Sequence, residues 1–133
     1  MSYQNISDAF DARIGGVTQI DLQYEGVAYT PVTGRPYLSA RLLAYTRTNA
    51  GFGPDCVMSE TGSYQISVNW PSGEGRPAAG AVADQIVAAF PRALALQAGA
   101  QVVSILYTSA APSIQSGDWL TIPVVVSWMA TDP

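Results

Sequence analysis

The sequence predicts an α+β fold: an antiparallel-dominated β-sheet with two α-helices packed on one face. Three observations lead there. Apolar residues fall at three- and four-residue spacing near the start of the chain, and again in an Ala-rich stretch after residue 76. Between and after these stretches the period drops to two, the mark of half-buried strands. The order helix, strands, helix, strands separates the two kinds of element as α+β folds do.

The first helix runs from about Tyr3 to Ile14. Ile6, Phe10, Arg13 and Ile14, with Ala9, form one stripe; Asp8 and Asp11 lie off it, and Gly15 and Gly16 supply a C-terminal stop. Ile20, Leu22 and Tyr24 then alternate with Asp21, Gln23 and Glu25 as a first strand. Val27 to Pro36 reads as a loop broken by Pro31, Gly34 and Pro36, because proline is excluded from central strands. In the strand Tyr37 to Tyr45, the pattern places Leu38, Ala40, Leu42 and Ala44 on one face and Ser39, Arg41 and Leu43 on the other.

Thr46 to Ser59 shows no period and contains Asn49, Gly51, Gly53 and Pro54, so it reads as a long loop of the sort that carries contacts. The clearest alternation follows, with Tyr64, Ile66, Val68 and Trp70 inward and Ser63, Gln65, Ser67 and Asn69 outward. After Pro71 to Gly75, Pro77 opens a helix whose stripe is Ala79, Val82, Ala83, Ile86, Val87 and Phe90, and Pro91 ends it. Leu94 to Ala98 and Gln101 to Tyr107 read as strands about a turn at Gly99 and Ala100, and Ser109 to Gly117 as irregular. A last strand, Trp119 to Met129, has Leu120, Ile122, Val124, Val126 and Trp128 on a wholly apolar face.

At 133 residues the chain reads as one domain, 1–133, able to bury roughly 70% of its unfolded surface without metals or disulfides. Only 12% of residues are charged, against about 25% in an average domain. There is no His and no Lys; all six basic residues are Arg. Missing His removes the commonest general base and metal ligand, and missing Lys removes Schiff-base and P-loop chemistry. A net charge of −4 argues against a binder of phosphate backbones. The single Cys56 can neither bridge internally nor build a zinc site. No apolar run reaches membrane-spanning length, and the polar N-terminus does not look like a signal peptide. The reading is therefore a protein made in the cytoplasm, without cofactor, metal or membrane, and not an enzyme. So little charge suits a subunit whose surface is largely covered by partners.

The individual candidates weigh the same way. Gly73, Glu74, Gly75 and Arg76 sit where a phosphate loop would, but lack the Gly-Lys-Ser/Thr ending and carry an acid; a tight strand-to-helix turn explains them better. Cys56 has no His to activate it, and Asp8 with Asp11 reads as a solvated face. Asp55, Glu60 and Asp118 are the carboxylates an acid–base hydrolase would need, with nothing else pointing to one. Trp70 and Trp128 read as core, while Trp119 lies on the opposite face of its strand as a candidate interface anchor. Arg47, Phe52 and Asp55 in the long loop join Trp119 as the candidate assembly contacts.

Several stretches resemble a family of small phage proteins. They are Tyr24 to Pro31, Gly34 to Leu38, Glu60, Thr61, Gly62, Tyr64, Gln65 and Val68, then Pro71, Gly73, Glu74 and Gly75, the Ala-rich helix ending at Phe90 and Pro91, and Gly117, Asp118, Trp119 with Ile122, Pro123, Val124 and Val126. The family is that of the phage tail terminator-like proteins, and the resemblance covers nearly the whole chain, to about Ala130. It implies a structural virion protein and no catalytic residues. Six copies would form a ring that caps the tail tube, stops its polymerisation and offers the head-docking surface. The implied partners are the chain itself, the tail tube protein and a head-tail connector or neck protein, with DNA passing through the lumen without specific binding. The implied place is the head-proximal end of the virion tail. Two other readings stay open: another connector, neck or tube subunit, and a small enzyme using carboxylates such as Asp55 or Asp118.

Overall fold

The computed structural model describes residues 2–16, 21–24, 35–49, 58–71, 76–98, 101–117 and 119–131. The elements are α1 (Ser2–Gly15), β1 (Asp21–Tyr24), β2 (Tyr37–Asn49), β3 (Met58–Pro71), α2 (Arg76–Ala89), β4 (Ala95–Ala98), β5 (Gln101–Ala110), β6 (Ile114–Ser116) and β7 (Trp119–Thr131). The strands form one seven-stranded sheet in the order β1-β2-β3-β7-β5-β4, with β6 pairing on β7 below the end of β5. β1 runs parallel to β2 and every other pair is antiparallel. This is the expected α+β architecture.

The alternating apolar residues meet in cross-strand rows on the helix-covered face. Leu38, Val68 and Ile122 are in register, as are Ala40, Ile66 and Val124, and then Leu42, Tyr64 and Val126. Onto these rows α1 buries Ile6, Phe10 and Ile14, and α2 buries Ala79, Val82, Ala83 and Ile86. Each fully buried large side chain contributes about 1.5–3 kcal/mol. An aromatic cluster marks the centre: Phe10 stacks on Tyr64 with ring centroids 4.6 Å apart, and Phe90 and Trp128 lie 5.8 and 6.3 Å from Phe10. The two helices are tied where α2 ends, because Arg13 donates from Nε and Nη2 to the Ala89 carbonyl at 3.0 and 2.9 Å. That fork satisfies a carbonyl the helix leaves without an internal partner, with a cation at the favourable end of the dipole.

Several expectations need correction. Asp11 is not a solvated acid: it is half-buried and accepts a hydrogen bond from the Tyr64 hydroxyl, while Asp8 accepts one from Gln4. Asn69 does not face water. It is buried and donates to Ser39 Oγ and the Ser67 carbonyl while accepting from Thr121 at 2.9 Å. Trp70 is only partly buried against the core. The supposed loop Thr46 to Ser59 is strand at both its ends, since Thr46–Asn49 pair with Thr61–Met58, and 50–57 lie outside the described residues. Likewise the stretch from Ser109 to Gly117 is partly strand, with β5 reaching Ala110 and β6 following. The calls on Ile20, Glu25, Gly73 to Gly75, Gly99 with Ala100, Asp118 and most of the Val27–Pro36 loop fall outside the described residues.

Ala44, expected inward, is exposed, and Tyr45 packs on the core in its place. The cause is a bulge: Leu42 faces Tyr64 and Ala44 faces Ser63, so Leu43 is an extra residue that shifts the alternation. A second bulge lies one row away on the other side of the central pair. There Ile105 faces Trp128 and Tyr107 faces Ser127, leaving Leu106 as the extra residue.

Gly62 sits between Tyr45 and Trp128 in the next row. A Cβ there would stand 2.0 Å from the Ala44 carbonyl oxygen and 2.8 Å from Trp128 Cζ2. The Gly62→Ala chain should therefore lose at least ~2 kcal/mol of stability, seen as an earlier urea midpoint with an unchanged slope. Ala93 gives a prediction of opposite sign. Its φ of 69° is in the left-handed region, where L side chains are strained and glycine is not. Ala93→Gly should raise stability by about 0.5 kcal/mol in the same assay, because the relieved strain outweighs the added freedom of the unfolded chain.

Candidate functional site

Of the four candidate contact residues, Arg47 and Trp119 lie in the described structure, and Phe52 and Asp55, like Cys56, fall outside it. Arg47 is a strand residue rather than a loop residue. It stands opposite Glu60 in the β2–β3 ladder, with Nε 4.0 Å from Oε1. Glu60 is 0% exposed, and its other carboxyl oxygen accepts a 2.7 Å hydrogen bond from the Tyr45 hydroxyl. A carboxylate taken out of water is costly unless paired, so Arg47 and Tyr45 hold together the base of the hairpin arm. Of the three acids the sequence offered for hydrolysis, Glu60 is thus enclosed by its own scaffold, and Asp55 and Asp118 lie outside the described residues.

Trp119 is at the far end of the sheet. It lies on the face away from the helices, half-buried, with its ring edge-on to Tyr37 at 5.2 Å and 84°. On β3, Glu60 faces Ala130 and Pro71 faces Trp119, a separation of roughly 35 Å along the strand. Arg47 and Trp119 therefore belong to different ends of the molecule and do not form one site.

The feature that does gather is the helix-free face. The exposed large apolar residues among those described are Leu43, Val102, Leu106, Tyr107 and Ile114. All five sit on that face. Leu43 and Ala44 stand opposite Ser63, Leu106 and Tyr107 opposite Ser127, Val102 opposite Thr131 and Ile114 opposite Thr121. Those partners alternate with the buried residues Tyr64, Val126, Ala130 and Ile122. The most exposed are Tyr107 at 60% and Ile114 at 57%. Around them the face is hydroxyl-rich, and Gln23, Ser39, Arg41, Gln65 and Ser67 line a shallow polar depression. An aromatic and aliphatic surface with few charges has the composition of an interface core.

Sequence reasoning placed Leu43 on this face but missed Leu106, Tyr107 and Ile114. The available signal was the doubled apolar pairs Leu42–Leu43 and Ile105–Leu106, which interrupt the alternation where an extra residue enters. No cluster of three or more potential metal ligands occurs among the described residues, and no helix there is long and apolar enough to cross a membrane. On the helix side, a groove runs between α2 and the β5–β6 connection, lined by Pro77, Gly80, Ala81, Asp84, Ala111 and Pro112.

Comparison with known proteins adds the context. A solved structure sharing 24% identity superposes with a TM-score of 0.75 across 98% of this chain and 96% of its own, a likeness of fold. No curated protein matches the sequence. The family model described as phage tail terminator protein matches residues 5–128, so that α2 and nearly all of α1 and of the sheet lie within it. On that match the chain belongs to the phage tail terminator protein family.

Proposed function

We propose that this protein ends the phage tail: copies of it close into a hexameric ring on the finished tube, stop further tube subunits from adding, and present the surface on which the head docks. The observation that carries this reading is the family match over residues 5–128. The partners would be the chain itself, the tail tube protein and a connector or neck protein. The work would be structural, with no reaction catalysed. The low charge density and the apolar helix-free face suit a subunit whose surfaces are mostly covered, since permanent assemblies bury a few thousand Å² and do so with apolar cores. A net charge of −4 repeated around a lumen would leave DNA free to slide.

Arg47, Phe52, Asp55 and Trp119 are proposed contact residues within this assembly, with the hairpin end touching the ring or the tube. Arg47 also serves Glu60, so a clean test leaves it in place. Replacing Phe52 and Asp55 together by Ala should reduce the fraction of capped tails with an unchanged melting temperature; normal capping removes the hairpin end from the account.

The main test is electron microscopy of lysates from phage with this gene disrupted. The expected picture is tails of uncontrolled length lying apart from filled heads. Tails of normal length, or none at all, would move the protein to the neck or the tube.

A further inference from the structure

Two exposed surfaces on opposite layers of the subunit match each other. On the helix-free face, Arg41 and the bulged Leu43 project two residues apart on one strand, a spacing of roughly 6–7 Å. On the helix layer, Gly80 and Asp84 lie one turn apart on α2, roughly 6 Å along its axis, in the groove closed on its other side by Ala111 and Pro112. Arg41 and Asp84 are both exposed, and neither has a charged partner among the described residues. Gly80 is the telling position. Glycine weakens a helix interior relative to alanine, yet a Cβ at Gly80 would meet nothing within 4 Å among the described residues. Among the described residues nothing makes use of its smallness, which leaves room for a side chain arriving from outside.

We propose that the α2 groove of one copy receives the helix-free face of the next, with Leu43 seated over Gly80 and Arg41 paired to Asp84. The occupant is a second copy of this chain because one surface supplies the knob and the cation, and the other the hollow and the anion, at the same spacing. Because the two patches lie on opposite layers, the contact is head-to-tail, and repeating it generates a closed ring when the rotation permits. The inference rests on the ring assembly proposed above and names the surfaces that build it.

A charge exchange tests the pairing in gene-disrupted phage supplied with variant protein. Arg41→Asp and Asp84→Arg should each lower the yield of capped, infective particles at least tenfold, and the double exchange should restore most of it. Normal yield from both single variants, or no recovery in the double, overturns the contact. A cross-linking experiment separates this failure from failure of the ring itself. The chain carrying Leu43→Cys and Gly80→Cys on a Cys56→Ser background is treated in lysates with a short bis-maleimide, to which each thiol adds, then run under denaturing conditions. A ladder extending beyond the dimer supports the head-to-tail contact, because either cysteine alone can join only two chains. Rings in micrographs without a ladder overturn this contact and leave the ring standing. Neither rings nor a ladder overturns both.

Discussion

Much of this fold hangs on the missing side chain at Gly62. With only hydrogen there, the Trp128 indole lies against the sheet, and the Ala44 carbonyl approaches as closely as the neighbouring bulge requires. The indole then meets Phe10 on one side and Tyr45 on the other, 6.3 and 6.1 Å away between ring centroids. Tyr45 is available because the bulge at Leu43 turned it inward, and its hydroxyl is what satisfies buried Glu60. One small residue thus connects the packing of α1, the phase of β2 and the polar base of the hairpin. The indole N–H is buried without an acceptor among the described residues. An unmade hydrogen bond of that kind costs about 1–3 kcal/mol, which burial of the ring in the aromatic cluster offsets.

The sequence carried the parts of this structure in which each residue obeys the period of its own element. Tyr64, Ile66 and Val68, the Leu120 to Trp128 face and the stripe on α2 are legible because burial on one face imposes a strict alternation or a helical stripe. Ala44, Tyr45 and Leu106 escaped because a bulge is specified by the partner strand, and nothing local in Leu42-Leu43-Ala44 says which leucine is the extra one. Thr46 to Thr48 escaped for a related reason. Their pairing with Thr61 to Ser59 comes from the ladder, while an exposed hairpin arm need not alternate apolar with polar residues. Asp11 and Asn69 read as solvent-facing because their partners Tyr64 and Thr121 are more than fifty residues away.

The candidate contacts were legible to a different degree. Trp119 stood out because a large aromatic occupied the polar phase of an otherwise apolar strand, and the structure keeps it on the helix-free face against Tyr37. Arg47 stood out for its place in an apparent loop, and its neighbour proved to be a buried acid in the same ladder. A surface made by several strands lying side by side has no signature in any one of them. Leu43, Leu106, Tyr107 and Ile114 become neighbours on one face only through the strand order, which the sequence did not supply.

The two bulges have one more consequence. At Leu43 and Leu106 the exposed leucine is itself the residue that is surplus to the ladder. The knobs are therefore insertions into otherwise regular strands. Removing one codon at either place would erase an apolar projection and still leave every following residue opposite its present partner, so the in-and-out phase of the rest of the strand would stand. At β2, Tyr45 would stay inward opposite Gly62 and keep its hydroxyl on Glu60. The outer surface is in this way separable from the buried interior, and a one-residue change of length at a bulge can alter the first without disturbing the second.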